Sequence, residues 1–520
     1  MKFFRIGAHR VLAMLALALC GGLTLVGSPA ALAAKSDNTL VVAFPREVTT
    51  LDGLYSRSRE NDVLGLLTDD ALYYVDPQTL KAVPLAAKAH KFVNDTTLDV
   101  ELREGIKFHD GSEMTAEDVA YSYNWIVSPE SKTLFSARIG HWLKNAEVRG
   151  KYLVRFNMKQ PNALVFYDFT YYSKIRKKGT YHKADGSLDP NAATRAINST
   201  GPYRVTEFTA DRITLQRFKD YRGDSAKGRP PMERIIIRSI PDQSTQAAEL
   251  MSGGVHWTFN IPTELAEDAA RGGRVRLVHG PSMRVEFLVL DAAGIVQPKG
   301  PLMKKAVRQA LNHAIDRAVI VKNLVKGTSQ VLYSACNPVQ FGCAQDVKKY
   351  DYNPALAKKL LAEAGYPNGF DLELWSDRER PVNEAIVHQL NQAGVRATLR
   401  FVKPPVLVKA RNEKQVPAYY GSIGSFSIPD AGAIVPDHFL PESDRNFSQD
   451  PAVAKLVDAA NSTYDPAKRQ QFFRDALRRI AEEAYWVPIL TFSANYLASN
   501  DVEFEPWKDG MERLFQIRWK

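Results

Sequence analysis

Residues 101–126 read E-L-R-E-G-I-K-F-H-D-G-S-E-M-T-A-E-D-V-A-Y-S-Y-N-W-I, a strand end, a tight loop and a capped helix in immediate succession. Leu98, Val100 and Leu102 alternate with Asp99, Glu101 and Arg103, the period-two pattern of a half-buried edge strand. Gly105 and then Asp110-Gly111 break the strand, because glycine tolerates positive φ and aspartate bonds its own backbone. Thr115 offers a hydroxyl to cap a helix, with Glu117 and Asp118 in the first turn, where the helix dipole favours acids. Val119, Tyr123 and Ile126 then form one apolar helix face.

Outward from this stretch, the chain has 520 residues, 45% hydrophobic and 24% charged, which is ordinary for a soluble globular protein. A chain this long buries enough surface to fold without a metal or disulfide. Lys2, Arg5 and Arg10 precede an apolar run over residues 11–26 and an A-x-A site at Ala31-Leu32-Ala33, the pattern of a secretory signal peptide over residues 1–34. Cys20 follows Leu17-Ala18-Leu19, a poor lipobox, so a soluble mature protein is expected rather than a lipoprotein. Loss of the leader lowers the formal net charge from +10 to +7. The cations are scattered among as many acids, which reads as a solvated surface rather than a nucleic-acid interface. Two cysteines remain, in S-A-C-N-P-V-Q-F-G-C; Cys336 and Cys343 read as a disulfide closing a short loop. A metal site would need a neighbouring His or a second Cys pair.

L-R-x-G-I-K-F-H-D-G followed by T-A-E-D-V-x-x-S resembles the signature of the family 5 extracellular solute-binding proteins, carried here by Gly105, Phe108, His109, Asp110, Gly111, Thr115 and Asp118. Those are periplasmic receptors of dipeptide, oligopeptide and nickel ABC importers. Thr200-Gly201-Pro202-Tyr203 is similar to the family's G-T-G-P-Y, and residues 308–317 to its R-x-A-L-x-x-A-I-D-R. The resemblance spans the mature chain. It implies an α/β, two-lobed periplasmic-binding-protein fold (type II, the large peptide-binding class) with an extra subdomain in the first lobe. The expected division is a leader over 1–34, a first lobe over 35–282 with the subdomain at about 65–195, a second lobe over 283–487, and a return to the first lobe over 488–520. Hinge crossings are expected near Pro281 and Val487, a helix over residues 64–74, and another over residues 302–326.

The ligand residues come from the same resemblance. Arg380-Pro381 in L-W-S-D-R-E-R-P-V-N resembles the R-P-x-N of dipeptide-binding members, whose Arg pairs with a ligand carboxylate. Arg380 is therefore the expected anchor, with Arg378 as the alternative. Residues 421–430 resemble the family's G-W-x-x-D-x-x-D-P-D, but Ser422 stands in place of the Trp and Ser425 in place of the amine-binding Asp. A hydroxyl loses roughly 1–2 kcal/mol against a carboxylate as partner of an ammonium group. Asp430 either substitutes for it or simply caps its loop. Trp257, Tyr420 and Phe426 are expected to wall the pocket, and Arg57 to stand at its mouth.

No catalytic motif of the G-x-S-x-G, H-E-x-x-H, P-loop or G-x-G-x-x-G kind occurs in the sequence, and the ten His residues show no metal-ligand spacing. The expectation is a monomeric, non-enzymatic periplasmic receptor with no cofactor. It would deliver a peptide-like solute to inner-membrane permease subunits of an ABC importer. A nickel chelate, an opine-like conjugate or a glycan stays open as ligand. A secreted hydrolase or a periplasmic chaperone is the reading outside that class.

Overall fold

Two successive strands, Val275–Gly280 and Val285–Leu290, belong to different sheets, and that break makes two lobes. The computed structural model describes residues 35–189, 191–424 and 427–520; the expected leader and the candidates Ser425 and Phe426 lie outside the described residues. The first lobe is built on a seven-stranded sheet in the order Val275–Gly280, Ala494–Ser499, Trp257–Phe259, Thr39–Phe44, Arg234–Ser239, Arg212–Arg217, Tyr203–Phe208. The second lobe is built on a five-stranded sheet in the order Arg396–Phe401, Asp371–Ser376, Ala418–Ile423, Val285–Leu290, Trp486–Thr491.

The return crossing lies later than Val487. Residues 486–491 are all buried and pair with Val285–Leu290, so Val487 sits inside the second lobe's sheet. The chain leaves at residues 492–493 and re-enters the first lobe as Ala494–Ser499. The crossings are tied together. Phe492 N–H donates to the Arg284 carbonyl at 3.0 Å, and the Ser282 hydroxyl donates to the Phe492 carbonyl at 2.6 Å.

A subdomain of the first lobe carries a four-stranded antiparallel sheet, Ala87–Asn94, Thr97–Leu102, Leu153–Met158, Leu143–Gly150. Thr97–Leu102 is an interior strand of it, not an edge; its alternation arises because only one face is covered. The helix Ala116–Val127 lies nearby, with Val119, Tyr123 and Ile126 in the subdomain core. The Thr115 hydroxyl and the Asp118 carboxylate cap it reciprocally. The two signatures meet in space. His109 N–H donates to the Ser199 carbonyl at 2.8 Å, and His109 Nε2 lies 3.0 Å from the Gly201 carbonyl. A carbonyl only accepts, so Nε2 carries the proton. A Cβ on Gly201 would stand 2.3 Å from the Thr68 carbonyl carbon, which leaves only glycine for that place. Asp110 holds Ser112, Asn198 and Lys177, a turn former as its residue type suggests.

Two helices differ from expectation. The one expected over 64–74 spans Arg59–Thr68, because the Ser58 hydroxyl caps it early and residues 73–75 pair as a strand. The one expected over 302–326 breaks after Ala314, where Ile315 turns extended and Asp316 caps a new turn. Among the described residues no helix is long and apolar enough to cross a membrane.

Cys336 and Cys343 are joined by a disulfide, seven positions apart. So short a loop removes little entropy from the unfolded chain. Replacing both with serine is expected to lower stability by about 2 kcal/mol while the protein still folds and binds. Urea denaturation checks this, and loss of folding would show that the bridge holds more than its own loop.

Candidate functional site

The parallel strands Asp371–Ser376 and Ala418–Ile423 end at the edge of the second lobe where both crossings pass, and Val285–Leu290 begins there. In open α/β sheets ligands bind beyond the carboxyl ends of strands. A cavity of about 60 Å³ lies at this edge between the lobes. Arg59, Asp509 and Glu512 reach it from the first lobe, Arg284 and Ser427 from the second. The lobes are in contact around it. The Ser427 hydroxyl donates to the Asp509 carbonyl at 2.9 Å, Lys326 pairs with Glu267 at 3.2 Å, and Ala163 N–H donates to the Asn461 carbonyl at 3.1 Å.

The charges here are unevenly matched. Arg59 pairs with Glu512 at 2.7 Å; burial works against its charge, but Glu512 holds its pKa above the ordinary guanidinium range. Arg284, on the first crossing, lies over the Phe492 ring at 5.4 Å. Among the described residues its guanidinium has no carboxylate in ion-pair contact, and burial, with Arg378 adding to it, pulls its pKa down. Half-buried at the cavity, this cation is available to an anion that enters between the lobes.

Two residues further along the same extended segment, and so on the same face, stands Glu286, 1% exposed. It interrupts the apolar run V-E-F-L-V-L. Tyr420 donates its hydroxyl to Glu286 Oε2, whereas Oε1 has no hydrogen-bond partner. Ser422 is the register partner of Glu286 on the neighbouring strand, and its buried hydroxyl is likewise unpartnered. Burial pushes the Glu286 carboxyl up to about 7, and the nearby Glu379 adds to the rise, while Tyr420, Arg284 and Arg378 act against it. Burial raises Glu379 too.

Arg378 and Glu379 are presented by a loop under tension. Glu379 takes the left-handed conformation, φ 46° and ψ 50°, unusual for a non-glycine residue. Strain of this kind, of order 1–3 kcal/mol, persists where surrounding bonds enforce it. Here Asn383 Nδ2 donates to the carbonyls of Arg378 and Glu379, both at 2.9 Å, and Ser376 Oγ donates to the Arg378 carbonyl at 2.8 Å. The Asn of the R-P-x-N motif thus fixes the two residues that precede the motif.

Several expected site residues lie elsewhere. Arg380 is 56% exposed, pairs with Glu384 at 3.2 Å and lies over the Phe401 ring at 4.4 Å, so its guanidinium is already engaged at the surface. Arg378, the alternative, acts on Glu286 together with Arg284, while its own ion pair is with Asp377 at 2.7 Å. Asp430 is not free for an amine: Arg469 grips both its oxygens at 2.9 and 3.0 Å, and it caps the turn at Gly432. Trp257 is fully buried in the first lobe's core, stacked on Phe259 and Tyr496. Arg57 donates to the Leu134 carbonyl and covers Phe135 in the subdomain. Tyr420 and Ser422 do belong to the cluster. Sequence reasoning misses Arg59, Arg284, Glu286, Glu379 and Glu512. One signal is present, a lone acid inside the apolar strand V-E-F-L-V-L. Among the described residues no group of three or more His, Cys, Asp or Glu side chains is placed to hold a metal ion.

The raised Glu286 pKa has a consequence for stability. Between the unfolded value near 4.5 and about 7, the folded chain keeps a proton that the unfolded chain releases, so stability falls as pH rises. From about pH 5 to about pH 8, Glu286 is expected to remove roughly 1–3 kcal/mol, and Glu286→Gln to abolish that component. Thermal melts of both proteins across this range measure it; parallel curves would show that Glu286 titrates normally.

The model of the bacterial extracellular solute-binding proteins, family 5 Middle, matches residues 81–440. The chain belongs to this family. The glutathione-binding protein GsiB of Salmonella typhimurium is 26% identical over 490 residues, covering 90% of this chain and 92% of the relative. The dipeptide binding protein of Pseudoalteromonas sp. SM9913, solved with Met-Leu, superposes with a TM-score of 0.79 at 20% identity, covering 93% of this chain and all of that one. NikZ of Campylobacter jejuni, solved with Ni(L-His), superposes with a TM-score of 0.77 at 20% identity, covering 93% and 99%. This family 5 protein therefore has the two-lobed α/β fold of the periplasmic peptide-binding proteins, with the extra subdomain in its first lobe.

Proposed function

We propose that this family 5 protein is the receptor of an ABC importer, capturing a peptide-like solute between its lobes and passing it unaltered to a permease. The observation that carries this reading is Arg284: a half-buried guanidinium lining the cavity between the lobes, without a carboxylate partner among the described residues, on a segment that crosses between them. A solute carboxylate supplies the missing anion, and closure of the lobes over the pair excludes water and strengthens it. Arg378, behind it, adds to the positive field. GsiB, whose name states glutathione binding, and the Met-Leu complex support a peptide as ligand. Closure results from a solute that contacts both lobes, since such contacts favour the closed population.

In this reading residues 1–34 are a cleaved leader, the mature protein is a periplasmic monomer, and no covalent chemistry occurs on the solute. Native mass spectrometry of protein taken from its host, combined with small-angle scattering before and after solute removal, tests it. A co-purified peptide and a smaller radius with solute are expected. A cleaved solute, or a radius indifferent to peptides, would overturn the reading.

A further inference from the structure

The sequence leaves the amine of a peptide unaccounted for, since Ser425 stands where an acid is usual and Asp430 is held by Arg469. A different acid lies beside the cavity, two residues from Arg284, which lines it. Glu286 is 1% exposed, Tyr420 occupies its Oε2, and its Oε1 is bare of any hydrogen bond. The unpartnered Ser422 hydroxyl is across from it in register. Two buried acceptor atoms side by side, both unsatisfied, are what a donor with several hydrogens fits, and a primary ammonium group has three. Arg284 stands two residues away on the same face, so a cation-binding and an anion-binding group are one strand period apart.

Resting on the reading of this cleft as a peptide site, we propose that Glu286 and Ser422 form an ammonium subsite, in which the solute's amine replaces a proton carried by Glu286. The groups facing Glu286 support the exchange. On its own segment there is Arg284, on the next strand Tyr420 and Ser422, and on the strained loop Arg378 and Glu379. The strand on its other side presents Leu490. Without an amine, burial and Glu379 favour the neutral carboxyl, so no uncompensated charge is buried. When an ammonium group arrives, the carboxyl proton leaves to solvent, and Oε1 accepts a charge-assisted bond while Ser422 Oγ accepts another. The site thereby selects solutes that carry both an amine and a carboxylate, through an acid, Glu286, that lies outside the motif where the amine partner is usually sought.

Calorimetry with glutathione, Met-Leu and a dipeptide mixture, each beside its N-acetylated copy, tests this at about pH 5.5 and about pH 7.5 in buffers of different ionisation enthalpy. Free-amine probes are expected to bind at least about tenfold tighter than acetylated ones, to tighten about tenfold over that range, and to release nearly one proton per molecule bound at about pH 5.5 and a smaller fraction at about pH 7.5. In Glu286→Gln both the preference and the proton release should vanish. In Glu379→Gln, a change on a half-exposed loop, the preference should remain while the pH dependence shifts lower. Equal binding of free and acetylated probes, or a Glu286→Gln protein that keeps the preference, would overturn the ammonium subsite and leave the peptide reading standing. Binding of no probe at all would overturn both.

Discussion

Arg176→Met is expected to destabilise the first lobe by about 3–5 kcal/mol, a cost at the upper end of what one substitution does. Arg176 is completely buried, and bonds Asp69 at 2.6 Å and Asp52 at 2.9 Å. Tyr181 donates to the other Asp52 oxygen at 2.6 Å, and Ser199 to Asp69 at 2.6 Å. The cluster joins the loop after the first strand, the end of the helix Arg59–Thr68, the aromatic stretch of the subdomain and the second signature. Burial works against the Asp69 carboxylate, yet Arg176 and Lys174 hold its pKa below the ordinary range. Methionine fills the volume of the arginine stem but leaves two buried carboxylates without their cation. That sets the sign of the pH effect. In the variant the acids can escape by protonating, so the deficit should be larger at about pH 8 than at about pH 5. Urea denaturation at both values measures it, and a deficit under about 1 kcal/mol would show that the network contributes little net stability.

The fold was legible in the sequence wherever local chemistry and tertiary packing demanded the same residue. The cap at Thr115 and the Gly105 and Gly111 turns at φ 74° and 85° are such places. Boundaries slipped where a long-range partner decided. Nothing local says that residues 486–491 stay with the second lobe; pairing with Val285–Leu290 does. Nor does periodicity reveal that the helix after Lys305 stops at Ala314, since Asp316 offers a competing cap inside an otherwise helical pattern.

The site was less legible, because a motif marks a backbone position and not the direction of a side chain. R-P-x-N does lie at the cleft edge, but its Asn383 works on the carbonyls of Arg378 and Glu379 and its Arg380 turns outward. The aromatic ring of Trp257 suits a pocket wall, yet the strand Trp257–Phe259 directs it into the core instead. Arg59 and Glu512 are 453 positions apart and form a pair only through the fold.

The two candidate anchors make opposite predictions, and a single ligand separates them. Arg284→Gln is expected to weaken a carboxylate-bearing peptide such as glutathione by about 2–4 kcal/mol, roughly 30- to 1000-fold. Its guanidinium is half-buried and lines the cavity between the lobes, so the bond it makes is shielded from salt once the lobes close over the solute. Glutamine is shorter than arginine, keeps a polar end and removes the charge. Because Arg284 has no ion pair among the described residues to lose, the melting temperature of the free protein should stay level. Arg380→Ala is expected to cost less than about 0.5 kcal/mol, since it loses an exposed pair with Glu384 and a ring contact at the surface. Calorimetry on the three proteins decides. If Arg380→Ala weakened glutathione and Arg284→Gln did not, the motif resemblance would be the better guide to the anchor than the position of Arg284 at the cavity.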